Sequence, residues 1–269
     1  MKKHILITGG TAGIGKLTAV ELAKQGHSVS IHGRNKEKLE DTIAEIKEST
    51  GNKNIQGFLA NFADLTAVRQ MIEEIKSSVS KIDVLINNAG VFKSSVDRND
   101  DGLDVRFVVN YLAPYMLTNE LLDVLNDKES RIINLSSAAQ ATVSLVQLAG
   151  KALITDNEAY AQSKLALTMW TFKLAKELED TVVIAVNPGS LLDTRMAQEG
   201  YGQTWAPAEK GSNILVDLAL NEKYDHDSGK YFDNDKGEEK GYFAPAHADA
   251  YDLEKINELI EVTESILKG

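Results

Sequence analysis

The sequence lacks both cysteine and long apolar runs. Without cysteine, disulfide bonds, thiolate metal sites and cysteine nucleophiles are excluded, and we expect no bound metal. The first apolar stretch, Ile5–Ile7, ends at Thr8-Gly9-Gly10, far short of the core of a signal peptide. No later segment approaches the roughly 20 apolar residues that cross a bilayer. We therefore expect a cytoplasmic protein without a membrane span.

The chain is also poor in positive charge and in proline. It has 29 lysines and arginines against 40 aspartates and glutamates, and the formal net charge of −11 repels the phosphates of nucleic acids. Its four prolines form no linker, and no internal repeat is visible. A chain of 269 residues can bury a sizeable α/β core. We expect a single domain over residues 1–269 and no nucleic-acid partner.

Short apolar runs alternate along the chain with longer stretches of helical periodicity. The apolar runs predict strands at His4–Thr8, Ser28–His32, Ile55–Ala60, Val84–Asn87, Arg131–Leu135, Val182–Asn187 and Lys230–Phe232. The periodic stretches predict helices at about Ile14–Gln25, Lys36–Glu48, Leu65–Val79, Leu103–Leu125, Glu158–Leu178, Pro207–Leu220 and Asp252–Leu267. Strands and helices that alternate in this way form βαβ units. The expected fold class is α/β, a doubly wound parallel sheet (Rossmann fold) of about seven strands with helices on both faces.

A glycine-rich turn connects the first predicted strand to the first predicted helix. Glycines allow a tight turn and a close approach of the backbone to a pyrophosphate, and the helix N-terminus offers free N–H groups to the anion. Many glycine turns bind nothing, but the order strand, turn, helix favours dinucleotide binding here. We expect cofactor contacts from Gly9, Thr11, Ala12, Gly13, Ile14 and Gly15.

The end of the second predicted strand indicates which dinucleotide is bound. An NAD-binding protein usually carries a carboxylate there for the ribose 2′-hydroxyl, whereas an arginine receives the 2′-phosphate of NADP. This chain has Gly33 where the acid would be and Arg34 beside it. A guanidinium binds a phosphate through two parallel hydrogen bonds. NADP(H) is therefore favoured over NAD(H), with Arg34 as a plain surface charge as the alternative.

A tyrosine and a lysine stand four residues apart in Tyr160-Ala161-Gln162-Ser163-Lys164, and so share one face of a helix. Reduction of a carbonyl needs an acid, and a free phenol with a pKa of about 10 holds its proton firmly. A nearby ammonium is expected to bring that pKa toward the working range. Tyr251 and Lys255 have the same spacing, but we interpret that pair as structural.

The surroundings distinguish the two tyrosine–lysine pairs. Tyr160 follows a predicted strand that ends in Ser136-Ser137 and precedes one that ends in Asn187-Pro188-Gly189. Ligands of open α/β sheets bind at the carboxyl ends of the strands, where these residues meet. Tyr251 has no such neighbours.

These motifs together resemble the short-chain dehydrogenase/reductase family. The resemblance rests on the Thr-Gly-x-x-x-Gly-x-Gly signature from Thr8 to Gly15, on Asn87-Asn88-Ala89-Gly90, and on the Tyr160–Lys164 pair in its context, and it spans nearly the whole chain. It implies an oxidoreductase that transfers a hydride between NADP(H) and a carbonyl or alcohol. One departure is Asn61, since the family usually has aspartate after the third strand.

The resemblance also implies roles for individual residues. Ser137, the second serine of its pair, would hydrogen-bond the substrate oxygen beside Tyr160 and Lys164. Asn110 would support a water that links Lys164 to solvent. Besides Tyr160 and Lys164, cofactor contacts are implied at Asn61, Phe62, Asn88, Ala89, Gly90, Pro188, Gly189 and Thr194.

Each of these roles has a plainer alternative. Asn110 could be a polar residue on an exposed helix face, and Ser137 an ordinary hydroxyl at a strand end. Tyr160 could be a half-buried core aromatic, and Thr194 a helix cap.

The substrate class follows from a narrower resemblance. Asn110-Tyr111-Leu112-Ala113, Ser228-Gly229-Lys230-Tyr231-Phe232 and the helical tail are similar to retinol-dehydrogenase-like members. This implies a lipophilic aldehyde, ketone or alcohol, with a substrate lid at about 190–206. The segment from Gln140 to Asn157 could add a lipophilic wall, or its apolar residues could pack on the protein itself; they are Val143, Leu145, Val146, Leu148 and Leu153.

Two other functions remain to be weighed. A non-catalytic NADP-binding sensor or interaction protein would be expected to lose the tyrosine or the lysine, and both are present. A nucleotide-sugar epimerase or dehydratase usually has a different glycine spacing and a large C-terminal domain, whereas only about fifty residues follow the last but one predicted helix. Family members often form homo-dimers or homo-tetramers, and nothing in the sequence decides the state here.

Overall fold

The computed structural model describes residues 2–125, 129–237 and 240–268. These residues form one sheet of eight strands in the order β3-β2-β1-β4-β5-β6-β7-β8. The strands are β1 His4–Ile7, β2 Ser28–Gly33, β3 Ile55–Leu59, β4 Val84–Asn87, β5 Arg131–Leu135, β6 Val182–Asn187, β7 Lys230–Asp233 and β8 Tyr242–Phe243. All neighbours pair in parallel except β7 and β8, which are antiparallel. The predicted α/β fold class is confirmed.

Helices pack on both faces of this sheet. They are α1 Gly13–Lys24, α2 Lys36–Thr50, α3 Leu65–Ser78, α4 Val105–Phe107, α5 Ala113–Glu120, α6 Leu122–Leu125, α7 Leu145–Leu148, α8 Asp156–Glu177, α9 Arg195–Tyr201, α10 Ala208–Leu220 and α11 Leu253–Lys268. A π-helical turn covers Val108–Leu112, and 3₁₀ turns cover Glu222–Tyr224 and Ala248–Tyr251. Within the described ranges, no helix is both long and apolar enough to cross a bilayer.

Burial on both faces explains why the central strands are continuous apolar runs. Ile5, Leu6 and Ile7 of β1 are fully buried, and alternate residues face opposite sides of the sheet. Leu6 belongs to the core under α3, α5 and α8, whereas Ile5 and Ile7 belong to the core under α1 and α10. Two apolar layers therefore hold the sheet between them.

The prediction of one continuous helix over Leu103–Leu125 is wrong. Asp104 caps the start of α4 by accepting a hydrogen bond from the Arg106 N–H, so Leu103 lies outside the helix. The helix then widens into the π-turn Val108–Leu112 just before Pro114, which has no N–H to donate to the residue four positions earlier. The series of α-helical backbone hydrogen bonds is therefore interrupted near Asn110.

Three elements were not predicted because their sequences carry weak signals. α7 and α9 are short helices inside segments interpreted as an insertion and a lid. β8 has only two residues and pairs through Phe232↔Phe243 and Asp233↔Tyr242. The predicted start of the helix at Pro207 also differs by one residue, because Pro207 is the N-cap of α10 and the helix begins at Ala208.

A buried chain of polar side chains holds the middle of the sheet together. The Asn87 amide donates to Asn134 Oδ1 at 2.8 Å and to Thr118 Oγ1 at 3.0 Å, and Asn134 donates to Thr171 Oγ1 at 2.9 Å. Asn134 is completely buried. The chain lies one or two residues before Asn88 and Ser136, so it fixes the strand ends from which the site is built.

We expect Asn134→Ala to lower the free energy of unfolding by about 2–4 kcal/mol, because it removes one buried hydrogen bond each from the Asn87 amide and the Thr171 hydroxyl and leaves a cavity. Urea denaturation measures the change. Asn213→Ala, at an exposed position of α10, should change the free energy by at most about 0.5 kcal/mol. Equal effects of the two substitutions would contradict the structural role of this polar chain.

Candidate active site

The glycine-rich turn lies at the point where the strand order reverses. β1 has β2 on one side and β4 on the other, so the chain leaves the sheet in opposite directions from these strands. In open α/β sheets the crevice outside the strand ends at this point binds ligands. Gly9 follows β1 here, Gly90 follows β4, Ser137 follows β5 and Pro188 follows β6.

The backbone in this crevice is packed too closely for side chains at two glycines. A Cβ on Gly9 would lie 2.9 Å from the Cα of Ala89, and Gly9 has a φ of +67°. A Cβ on Gly15 would lie 2.4 Å from the Asn88 side-chain nitrogen. These two positions therefore require glycine.

The Asn-Asn-Ala-Gly segment clamps the glycine turn. The Asn88 amide donates to the carbonyls of Thr8 at 2.8 Å and Gly9 at 3.1 Å, and the Ala89 N–H donates to Thr8 Oγ1 at 3.0 Å. A simple turn would not need these long-range contacts. Asn88 and Ala89 thus act by holding the loop, with Gly90 partly exposed beside them.

The start of α1 is arranged to receive an anion. Ala12 is its N-cap and makes no side-chain capping hydrogen bond. The first N–H groups of α1 therefore have no side-chain acceptor at the cap. Thr11, Gly13 and Ile14 are partly exposed along the same turn. This loop has the chemistry to hold a pyrophosphate.

The end of β2 crowds a side chain at position 33 and exposes a cation at position 34. A Cβ on Gly33 would lie 2.6 Å from the Thr11 methyl group, so a side chain there would require the Thr11 side chain to move. Arg34 is exposed, and its guanidinium pairs with no group in the described ranges. Its charge is free to contact a ligand.

The end of β3 contributes less than the resemblance implied. Asn61 is exposed, and its Oδ1 accepts from the Ala63 N–H at 3.2 Å, which leaves its NH₂ group to reach a ligand. The Phe62 ring is 3% exposed and lies in the core, where it stacks on His32. Phe62 can therefore meet a cofactor through its backbone, not through its ring.

Helix α8 brings the phenol and the ammonium to this crevice. A capping box fixes its start, because the Thr155 side chain accepts from the Glu158 N–H while Glu158 accepts from the Thr155 N–H. Lys164 Nζ lies 5.7 Å from the centre of the Tyr160 ring and donates to the Leu135 carbonyl at 2.7 Å. Ser137 lines the same cavity as Tyr160 and lies near enough to its phenol to lower the pKa of that group. Three of the four residues expected to be catalytic therefore lie together.

Burial, more than mutual attraction, decides the protonation of this pair. Burial raises the pKa of Tyr160 to about 12, and the hydrogen bond with Ser137 only partly opposes it. Burial lowers the pKa of Lys164 to about 8. The prediction that Lys164 brings the Tyr160 pKa toward neutrality is therefore wrong for this structure. At pH 7 the phenol holds its proton and the lysine is still mostly an ammonium.

Asn110 is buried in the π-turn and not on an exposed face. It is 1% exposed, and its side chain bonds Val91 twice, accepting from the N–H at 2.8 Å and donating to the carbonyl at 3.0 Å. It also donates to Ser163 Oγ at 3.0 Å. The Asn110 carbonyl, by contrast, lacks its usual α-helical donor, because residue 114 is proline.

Two residues that sequence reasoning missed hold Ser137 in place. Tyr231 donates its hydroxyl hydrogen to the Ser137 carbonyl at 3.0 Å, and the Gln140 amide donates to the same oxygen at 2.9 Å. Gln140 in turn accepts from the His247 N–H at 3.2 Å. Tyr231 follows Ser228-Gly229, but nothing in its local sequence points to a partner 94 residues away.

A cavity of about 330 Å³ opens beside the phenol. Its polar lining comes from the turn Pro188–Gly189 and from Ser136, Ser137, Tyr160, Asn187, Ser190 and Thr194. The rest of the lining is apolar and comes from Ile14, Phe92, Ala139, Leu191, Leu192, Met196, Ala197, Tyr201 and Trp205. The cavity can thus hold an apolar molecule that carries a polar group.

Residues 190–206 fold over this cavity. The Trp205 N–H donates to the Leu191 carbonyl at 2.7 Å and the Asp193 N–H to the Ala206 carbonyl at 2.8 Å, which closes the base of the segment. Thr194 is the N-cap of α9, as the alternative interpretation had it, and its methyl group also faces Gly13.

The segment from Gln140 to Asn157 does not line the cavity. Leu148 is fully buried, and Val143 and Leu145 pack against the same core. Val146 and Leu153 are 55% and 85% exposed. The alternative that these residues pack on the protein or face solvent is therefore the better one, and the apolar wall comes mainly from residues 190–206 and Phe92.

The second tyrosine–lysine pair has a structural role. The Tyr251 hydroxyl accepts from the Ala246 N–H at 3.0 Å, and Lys255 bonds the Asp249 carboxylate at 2.6 Å. Neither residue lines the cavity beside Tyr160.

Comparison with known proteins agrees with this arrangement. The family model for the short chain dehydrogenase matches residues 3–204. Human polyprenol dehydrogenase is 33% identical over 252 residues, which cover 86% of this chain and 76% of that protein. Human retinol dehydrogenase 13 is 34% identical over 258 residues, with the same coverage of both chains.

Solved structures show the same architecture. A protein of Mycobacterium paratuberculosis superposes with a TM-score of 0.80 at 26% identity, covering 99% of this chain and 93% of that one. A short chain dehydrogenase of Escherichia coli CFT073, solved in complex with NADPH, has a TM-score of 0.70 at 25% identity over 86% and 95% of the two chains. The chain belongs to the short-chain dehydrogenase family of oxidoreductases, and it is related to the retinol dehydrogenases.

Proposed function

We propose that this protein is an NADP(H)-dependent oxidoreductase that interconverts a lipophilic carbonyl compound and its alcohol. The observation that carries the proposal is that Ser137 and Tyr160 line a largely apolar cavity, which Ile14 of the glycine turn also lines, while Lys164 lies beside Tyr160. The relatives named above act on polyprenol and retinol, which are apolar alcohols. We propose further that residues 1–269 act as one catalytic domain and that residues 190–206 are its substrate lid.

The glycine turn fits a dinucleotide. Gly9 and Gly15 let the turn lie directly against the segment after β4, and the first N–H groups of α1 lack a side-chain acceptor. The candidate contacts are Gly9, Thr11, Ala12, Gly13, Ile14 and Gly15 for the pyrophosphate side, Arg34 and Asn61 for the adenosine side, and Asn88, Ala89, Gly90, Tyr160, Lys164, Pro188, Gly189 and Thr194 toward the nicotinamide. NADPH, when bound, supplies the hydride that reduces the carbonyl carbon.

The chain's own residues supply the proton and hold the substrate. Ser137 and Tyr160 donate hydrogen bonds to the carbonyl oxygen, and Tyr160 transfers its proton to that oxygen as negative charge develops there. Lys164, four residues along the same helix face, stabilises the phenolate that forms, and its ammonium can return a proton to it. The Asn110 carbonyl, freed by Pro114, is placed to hold a water on the path by which protons return.

NADP(H) is proposed over NAD(H) because Arg34 is unpaired within the described ranges and Gly33 offers no carboxylate. The cytoplasmic location stays a prediction from the sequence. A homo-dimer or homo-tetramer, which the family resemblance implies, also stays a prediction.

A panel of aldehydes and ketones with apolar chains of increasing length tests the substrate class. NADPH consumption is followed by absorbance, with Tyr160→Phe as the blank. We expect kcat/KM to rise with chain length, because each buried methylene contributes about 0.8 kcal/mol to binding in an apolar cavity. A preference for short polar carbonyls would contradict the lipophilic assignment.

Arg34→Ala should raise the Kd for NADPH about 10- to 100-fold, because it removes a charge-assisted contact with the 2′-phosphate worth about 1.5–3 kcal/mol. The Kd for NADH should change by less than about threefold, since NADH has no such phosphate. Fluorescence titration measures both constants. Equal losses for the two cofactors would overturn the role of Arg34.

Tyr160→Phe should leave the Kd for NADPH within about threefold while kcat falls by at least about 100-fold, because only the acid is removed. Tyr251→Phe is the matched control, since its hydroxyl lies outside the cavity, and it should retain turnover. Substantial activity in Tyr160→Phe would dismiss the phenol as the acid.

The pH dependence of reduction should follow Lys164. Its pKa is lowered to about 8, so the ammonium is present below pH 8 and is lost as the pH rises through that value. Tyr160, at about 12, stays protonated throughout. We expect kcat/KM to be flat near pH 7 and to fall about tenfold per unit well above pH 8. Lys164→Arg, with a permanent charge, should lose this inflection in whatever activity it retains.

A further inference from the structure

His32 is the penultimate residue of β2 and precedes Gly33 and Arg34. No role has so far been assigned to it. Its side chain is 3% exposed, so it cannot touch a ligand in the crevice. It nevertheless contacts three segments that border the adenosine side of the proposed cofactor site. Those segments are the glycine turn, the end of β2 and the end of β3.

The contacts of His32 allow one protonation state only. The Gly9 N–H donates to Nδ1 at 3.1 Å, and Nε2 lies 2.9 Å from the Ala60 carbonyl. Because an amide N–H can only donate and a carbonyl can only accept, Nδ1 must be bare and Nε2 must carry the hydrogen. The neutral Nε2–H tautomer satisfies both partners. In keeping with this geometry, burial lowers the His32 pKa to about 4.

His32 holds the glycine turn through its backbone as well. The Gly10 N–H donates to the His32 carbonyl at 2.9 Å. On the other side of the turn, the Gly9 carbonyl accepts from the Asn88 amide at 3.1 Å. Gly9, which has a left-handed φ of +67°, is thus held both by its N–H and by its carbonyl.

The imidazole ring also bridges to the end of β3. It stacks on Phe62 with ring centres 4.0 Å apart and planes inclined by 14°. Phe62 is adjacent to Asn61, and Ala60 is the acceptor for Nε2. Arg34 stands two residues after His32 on the same strand end. A shift of the imidazole would therefore move the glycine turn, Arg34 and Asn61 relative to one another.

We propose that His32 is a positioning residue that sets cofactor affinity by holding Gly9 and, through it, the pyrophosphate turn in register with Arg34 and Asn61. The inference rests on the proposed binding of NADP(H). This role differs from a purely structural one because the contacts of the ring have separate effects. The hydrogen bond from the Gly9 N–H to Nδ1 sets the cofactor affinity. The hydrogen bond from Nε2 to Ala60 and the stacking on Phe62 stabilise the fold.

Two substitutions separate the two hydrogen bonds. His32→Asn keeps an acceptor near the place of Nδ1 and loses the donor to Ala60, while His32→Gln keeps a donor near the place of Nε2 and loses the acceptor for Gly9. The ligands are NADPH and adenosine 2′,5′-bisphosphate, which carries the adenosine side without the nicotinamide. Calorimetry gives Kd, urea denaturation gives stability, and kcat is measured at saturating NADPH.

We expect His32→Gln to raise both Kd values about tenfold, as loss of one buried hydrogen bond implies, and His32→Asn to raise them less than about threefold. Both variants should keep kcat within about twofold at saturating NADPH, because Tyr160 and Lys164 are not moved. His32→Phe, which keeps an aromatic ring against Phe62 and loses both hydrogen bonds, should match His32→Gln and serves if that variant does not fold.

His4→Asn, which removes the polar group near the place of Nε2, is the matched control. His4 lies at the opposite end of the same sheet, where Nε2 bonds Ser30 Oγ at 2.7 Å, so its loss should alter stability and leave both Kd values unchanged. The inference would be overturned if the wild type and all His32 variants had equal Kd values. It would also be overturned if His32→Asn and His32→Gln lost affinity equally and in proportion to their loss of stability. Failure of the wild type itself to bind NADPH would instead contradict the proposed function, and this inference with it.

Discussion

The site depends on the close contact between two backbone segments at the centre of the sheet. The turn after β1 lies directly against the segment after β4, and neither Gly9 nor Gly15 has room for a single extra carbon. Asn88 provides the attraction that holds these segments together, since its amide donates to two carbonyls of the turn. A turn held so tightly presents its N–H groups as a fixed set, which is what a preorganised anion site requires.

Burial governs the chemistry at the other side of the crevice. Tyr160 and Lys164 are both withdrawn from water, so burial favours the neutral form of each, and the tyrosine pKa moves up while the lysine pKa moves down. The phenol is consequently held in the form that donates a proton. The ammonium is held near the point at which it can exchange one. Their closeness on α8 is a matter of helical spacing, but their pKa values are a property of the enclosing fold.

Much of the architecture could be predicted from local patterns. Three strands, Val84–Asn87, Arg131–Leu135 and Val182–Asn187, have the bounds that their apolar runs indicated, because burial on both faces leaves little choice of residue. The break near Asn110 was missed although Pro114 is visible in the sequence, since helical periodicity continues through it. The sequence left open whether the apolar residues of 140–157 line a pocket or pack on the protein, because apolar residues look alike whether they face a ligand or a core. In the structure the apolar wall comes from residues 190–206 and Phe92.

The sequence by itself determined which residues meet at the crevice. Glycine spacing, the Tyr160–Lys164 pair and the order of the strands carry that information, since parallel topology brings the carboxyl ends of all strands to one edge. Only the tertiary structure decided how those residues are held and charged. His32 reaches Gly9 and Ala60, and Tyr231 reaches Ser137, across 23 to 94 residues of sequence. Such partners, and the burial that shifts a pKa, arise from packing in three dimensions, which no local pattern records.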